Sequence, residues 1–256
     1  MKKQWFEDEN FWINYAPIMF DDSRWQEATT VAHYIKKIAN LKKDDCVLDA
    51  GCGLGRISTE LALLDLKVTG VDLIQTELDV AIEAAQDENV EIEYIKDDLR
   101  TFCRPKIYDC VINLYTSFGY CDTIKEDMQI LKNMCDCVCD GGTFIMECVS
   151  RETAILHFTQ GEVFERGNYK VKTNFLVQGA WEGLVSKWTL YKKDADLNNK
   201  NTTPVLDHVF TQRLYAAQIL QEKIMSFGFS KCDIYGDYDL RPYDQNAKTM
   251  LLVAKK

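Results

Sequence analysis

The chain has 256 residues, 46% of them hydrophobic, which suits one large domain, or one domain with a sizeable insertion, around a single core. A net charge of -10, with no run of more than two Lys or Arg, works against non-specific attraction to nucleic acid. No apolar stretch reaches the ~20 residues that cross a bilayer. Met1-Lys2-Lys3-Gln4-Trp5 runs into acids rather than an apolar segment, and the ten cysteines then fit a reduced, cytoplasmic chain.

Residues 1–22 hold Trp5, Phe6, Phe11, Trp12, Tyr15, Met19 and Phe20 among many acids. Two uses fit them: a staple that ties the terminus to the domain, or a lid whose aromatic faces cover a ligand and attract a cation. Ser23 and Gln26 are placed as a capping box, and Val31, Tyr34, Ile35 and Ile38 form the apolar stripe of the helix that follows. Cys46-Val47-Leu48-Asp49-Ala50-Gly51-Cys52-Gly53-Leu54-Gly55-Arg56 then reads as a buried strand, a tight turn and the start of a helix. Glycines in such a turn permit positive φ and let a ligand approach bare backbone, beside the free N–H groups of a helix N-terminus. A second acid, Asp72, ends the next apolar run, where it can accept from ribose hydroxyls. Asp49 stands two residues before the first glycine, a place that repels a pyrophosphate and suits a cationic ligand.

Through Val47 to Gly55 and Val71-Asp72 the chain resembles the class I S-adenosylmethionine-dependent methyltransferases. The resemblance implies S-adenosyl-L-methionine as cofactor, held by Asp49, Gly51, Cys52, Gly53, Gly55, Asp72 and Leu73. It also implies Asp98 and Leu99 at the adenine, with Asp97 as competitor, and Asn113 and Tyr15 beside the ligand. A dinucleotide site, and with it a dinucleotide-dependent oxidoreductase, is the other reading of the same turn.

Strands and helices continue to alternate: strand Lys67–Val71, helix Glu77–Gln86, strands Glu91–Ile95 and Asp109–Leu114, helix Thr123–Val138 and strand Thr143–Cys148. This predicts a doubly wound, mainly parallel Rossmann-like α/β sheet, with ligands beyond the carboxyl ends of its strands. Cys135-Asp136-Cys137-Val138-Cys139 lacks a histidine or second cysteine pair at zinc-like spacing, so no metal is expected. From Glu162 the pattern changes to strands Glu162–Glu165, Tyr169–Gln178, Leu184–Lys192 and Asp207–Leu214, an antiparallel sheet inserted after strand five. The polar stretch Asp194–Asn201 is a loop. A helix, Ala216–Phe227, and strands Ser230–Tyr235 and Thr249–Ala254 close the sheet. A single domain over 1–256 is expected, with a lid and helix at 1–40, a cofactor-binding core at 41–150, the inserted sheet at 160–215 and closing elements at 216–256.

The segment Asn113 to Tyr120 faces the transferable methyl group in the resembled family. It lacks the Asn-Pro-Pro-Tyr type of sequence of nucleic-acid amino-methyltransferases, and Ser117-Phe118-Gly119-Tyr120 looks like the loop of bacterial sugar and small-amine N-methyltransferases. Methyl transfer is an in-line displacement, so the protein mainly aligns donor and acceptor and excludes water. An amine acceptor must arrive neutral, whereas a hydroxyl wants a base; Tyr115, Glu147 and His157 are the catalytic candidates, and Glu147 has pairing with Arg151 as its alternative. Trp12, Arg24, Tyr115, Arg151, Arg213 and Tyr215 are expected around a small soluble acceptor, without nucleic acid or membrane. With Trp181 and Trp188 on its hairpins, the inserted sheet is also a candidate homodimer face, or the interface of a non-catalytic binding module.

Overall fold

The computed structural model describes residues 4–19, 22–199 and 201–256. A 3₁₀ turn at Trp5–Glu7 leads into helix α1 (Glu9–Met19) and helix α2 (Asp22–Ala39). The core then alternates as β1 (Cys46–Ala50), α3 (Arg56–Leu63), β2 (Lys67–Asp72), α4 (Gln75–Asp87), β3 (Ile92–Lys96), β4 (Tyr108–Asn113), α5 (Ile124–Cys137) and β5 (Val138–Cys148). A short helix α6 (Arg151–Leu156) precedes β6 (Val163–Arg166), β7 (Tyr169–Gln178), β8 (Gly183–Lys192) and β9 (Leu206–Arg213). Helix α7 (Ala217–Ser226) and strands β10 (Lys231–Tyr235) and β11 (Met250–Lys255) finish the chain.

The large sheet runs β10-β11-β5-β4-β1-β2-β3, parallel from β3 to β5, with β11 antiparallel to both β5 and β10. Alternation along each strand sends successive side chains to opposite faces. Val47, Ile112 and Ile145 pack on one face under Ala28, Val31, Ile35, Ile57 and Leu61 of α2 and α3. Leu48, Val111, Phe144 and Met146 pack on the other under Leu131, Met134, Leu220 and Ile224 of α5 and α7. Both faces are therefore covered, as a parallel sheet requires. The chain builds outward from β1 through β2 to β3, then crosses to β4 on the other side of β1. That reversal opens a crevice beyond the carboxyl ends of β1 and β4. Among the described residues, no helix is long and apolar enough to cross a membrane.

The cysteine-rich run is spread over packing positions: Cys135 is fully buried, Cys137 lies 4.0 Å from Cys103, and Cys139 contacts Asp109. The run also divides differently from expectation. Thr123 is the N-cap of α5, paired with Glu126 in a capping box, and the chain turns extended already at Val138. Phe20 and the side chain of Ser23, with the capping role expected for it, lie outside the described residues.

The inserted strands form a separate antiparallel sheet, β6-β7-β8-β9. One face of it carries Val171, Leu190, Trp188 and Leu206, and α1 lies on that face with Phe11, Tyr15 and Ile18 buried against it. The aromatic N-terminus is thus stapled to the insert, and what its mixed aromatic and acidic sequence did not announce is the helix and the sheet that receives it. The Tyr15 hydroxyl donates to the carbonyl of Trp188 at 2.7 Å, and Arg166 of β6 donates to the carbonyl of Ile18 at 2.9 Å. Trp188, placed by the sequence on a candidate interface of the inserted sheet, packs inside the chain against Tyr15 and Phe164. Replacing Tyr15 by Phe keeps the packing and removes one buried hydrogen bond. We expect a loss of about 1 kcal/mol in urea unfolding, where a change within error would show that the bond contributes nothing.

Candidate functional site

The turn after β1 is tied to the end of β2. The N–H groups of Gly51 and Cys52 both donate to the Val71 carbonyl, at 2.8 and 3.1 Å. The carboxylate of Asp72 accepts from Gly53 N at 2.9 Å and from Ile74 N at 3.0 Å. Gly51, Gly53 and Gly55 have φ of 82°, 51° and 72°, where a side chain is strained. A Cβ on Gly51 would also stand 3.1 Å from the Cβ of Ser117, so the glycine lets the β1 turn approach the loop after β4. Gly55 serves packing instead: its Cβ would meet that of Ala81 at 2.7 Å.

Asp49 is only 4% exposed and accepts from the Ser58 hydroxyl at 2.7 Å. Burial pushes its pKa up to about 6; Ser58 and Arg56 favour its charge and Asp72 opposes it. Burial likewise raises Asp72, against the hydrogen bonds it accepts from backbone N–H groups. Asn113 donates to the Ala50 carbonyl at 2.7 Å and so braces the turn from β4, while its Oδ1 is buried without a partner.

These groups open into a cavity of about 490 Å³, a size suited to a small-molecule ligand. Asp49, Gly51, Cys52, Gly53, Asp72, Leu73, Asp97, Asp98, Leu99, Trp12, Arg24 and Tyr115 of the residues chosen from sequence line it. Trp5, Phe6, Tyr120, Trp188 and Phe210 form aromatic walls, with Trp5 stacked on Phe210 at 4.6 Å between centroids. An ion pair from Arg100 to Glu7, at 2.7 Å, ties the N-terminal turn to Asp98 at the end of β3, since Arg100 also holds Asp98.

Tyr115 and Thr116 both adopt left-handed backbone, φ 53° and 66°, a strained choice for a β-branched threonine. Glu147 over-determines this shape: its Oε2 accepts from Tyr115 N at 2.8 Å and its Oε1 from the Thr249 hydroxyl. The Tyr115 ring lies under the guanidinium of Arg56, 4.8 Å from the centroid, and burial pushes its hydroxyl up to about 12.

The remaining sequence candidates lie elsewhere. Glu147 does not line the cavity; it faces the backbone of the Tyr115 loop because a strand-end carboxylate meets those donors first. His157 bonds the Ala247 carbonyl at 2.8 Å, at the outer end of α6. Tyr15 is pinned to the insert. Arg213 and Tyr215 converge on buried Asp127, Tyr215 at 2.8 Å, and the backbone N of Arg213 donates to Gly119 O at 2.6 Å. They brace the loop from behind. Arg151 donates from its backbone to Tyr215 O at 2.9 Å and likewise belongs to that brace, not to the cavity.

Arg56, Arg166 and Glu77 line the cavity without having been chosen from sequence. Arg56 follows the glycine turn directly and was the one with a local signal; Arg166 and Glu77 arrive through tertiary packing.

Residues 47–142 match a family described as a methyltransferase domain. The Rickettsia bellii ubiquinone biosynthesis O-methyltransferase is 36% identical over 80 residues, covering 31% of this chain and 33% of that protein. The chain thus aligns with only about a third of that relative's length. Among solved structures, a S-adenosylmethionine-dependent methyltransferase from Clostridium acetobutylicum has a TM-score of 0.75 at 14% identity, covering 96% of this chain and 97% of the other. The SAM-bound amino pentose methyltransferase CalS10 from Micromonospora echinaspora has a TM-score of 0.65 at 18% identity, covering 96% of each chain. These two likenesses are of fold. With that match lying across the glycine turn, the dinucleotide reading of the turn is not favoured.

Glu147→Ala removes the acceptor of the Tyr115 N–H. Hydrogen exchange should then quicken over residues 115–119 by on the order of tenfold, the rest of the large sheet keeping its protection. Unchanged exchange in the loop would contradict the clamp.

Proposed function

We propose that the protein transfers the methyl group of S-adenosylmethionine to a small acceptor enclosed under α1 and the inserted sheet. One observation carries this reading: within residues 47–142, which match a methyltransferase-domain family, the glycine turn with Asp49 and Asp72 opens into a cavity closed by aromatic side chains. The residues fit the cofactor. Backbone at Gly51 to Gly53 leaves no side chain in the way, and Asp49 is a buried acid that gains from a cationic partner. When bound, S-adenosylmethionine supplies a methyl carbon activated by a sulfonium.

Asp49, with Ser58 behind it, would hold the ammonium of the methionyl part. Asp72, oriented by Gly53 N and Ile74 N, would hold the ribose, and Asp98 and Leu99 the adenine. Tyr115 would stand at the methyl group, its position set by Glu147 and its ring by Arg56. Trp5, Trp12, Trp188 and Phe210 would exclude water and align the acceptor. Both Glu147 oxygens already hold protein donors, which favours an acceptor that needs no base from this chain, a neutral amine. A compact single domain in the cytoplasm is part of the same proposal.

Titration calorimetry tests it. S-adenosylmethionine and S-adenosylhomocysteine should bind and NAD should not; binding of NAD alone would overturn the reading. Asp72→Ala should cost about 1–3 kcal/mol of that affinity. The Asp49 carboxyl must be ionised to pair with an ammonium, so affinity should fall as pH drops through about 6. Asp49→Asn should bind more weakly and lose that dependence.

A further inference from the structure

Glu77 occupies the first turn of α4, where an acid usually sits in solvent and favours the helix N-terminus. Here it is only 4% exposed. Its Oε1 is buried with no hydrogen-bonding partner among the described residues, and the side chain lines the cavity beside Asp72 and Ile74. Its Oε2 stands 3.5 Å from where a Cβ on Gly53 would be, so it adjoins the bare backbone of the turn. For packing alone an apolar side chain would serve this position better, since a buried polar atom without a partner is destabilising. An unsatisfied carboxyl on the wall of a ligand cavity awaits its partner from the ligand.

We infer that Glu77 is a second carboxyl holder of the adenosyl ligand, donating a hydrogen bond to the ribose edge beside Asp72. The inference rests on the proposed S-adenosylmethionine site. Both Asp72 oxygens already accept backbone N–H groups, and an ionised carboxylate can only accept. A ribose diol presents acceptors as well as donors, and a protonated Glu77 supplies the missing donor. Burial, and then the charge of Asp72 on β2, hold the Glu77 carboxyl protonated up to about 8. Cys52, facing it from the turn, stays a thiol because burial raises it well above its ordinary value.

The test compares wild type with Glu77→Leu and Glu77→Gln, using calorimetry with S-adenosylhomocysteine and thermal unfolding without ligand. Glu77→Leu should weaken binding by about tenfold while the ligand-free protein melts at the same or a higher temperature. Glu77→Gln, which keeps a donor and an acceptor, should bind within about threefold of wild type. Wild-type affinity should decline from about pH 7 to about pH 9 as the proton is lost, and that of Glu77→Gln should not. 5′-Methylthioadenosine and its 2′-deoxy counterpart locate the contact: the deoxy compound should bind wild type more weakly and lose little further affinity in Glu77→Leu. Undiminished binding by Glu77→Leu, or equal losses for both compounds, overturns the inference while leaving the site reading intact. Failure of wild type to bind S-adenosylhomocysteine at all overturns the site reading itself.

Discussion

The structure depends on a short piece of backbone geometry: the turn after β1 is hydrogen-bonded to the last residues of β2. Val71 takes two N–H groups of the turn through its carbonyl, and Asp72 takes a third through its side chain. The turn therefore cannot fold down over the strand ends, and its glycines present bare backbone to the crevice. Asp72 is fixed beside it by its bond from Gly53 N, and Asp49 by the Ser58 hydroxyl. Because Gly51 also touches Ser117, the loop after β4 is set by the position of this turn. Burial raises the pKa values of the acids at the site, against the hydrogen bonds of Asp49 and Asp72 and together with the charge of Asp72 at Glu77. A ligand with a positive charge and hydroxyl groups relieves all three.

Closure of the cavity comes from segments far apart in the chain. The N-terminal turn and α1 bring Trp5, Phe6 and Trp12; the insert brings Trp188 and Phe210; and Arg100 joins the two ends of the adenosyl side through Glu7 and Asp98. The inserted sheet is built for α1 on one face, since Phe11, Tyr15 and Ile18 bury there. Moving α1 would uncover that face and open the cavity together.

Much of this was legible in the sequence where local pattern and tertiary role agree. The alternation of apolar runs with helices marked the parallel strands along the chain, though not their order in the sheet. The glycine turn with its flanking acids located the cavity, and the two-residue period from Tyr169 to Gln178 marked an inserted strand whose bounds match. What stayed hidden was contact made across the fold. Arg213 and Tyr215 are polar residues near a strand end, as substrate-binding residues are, yet they meet Asp127 of α5 behind the loop. Glu147 has the right place for a base, but the strained Tyr115 backbone takes its oxygen. Glu77 looks in sequence like any acid that opens a helix, and only packing against the turn reveals it as buried. α1 was missed for a related reason: its aromatic residues face a sheet that lies more than a hundred residues later.

The central claim is methyl transfer to a small enclosed acceptor, and a transfer assay with methyl-labelled S-adenosylmethionine tests it most directly. The protein is offered small amines, hydroxylated metabolites and thiols in one set of reactions, and bulk RNA or folded protein in another. Label should pass to a small acceptor, with amines favoured. Efficient labelling of RNA or of folded protein, with no small acceptor found, would contradict the account.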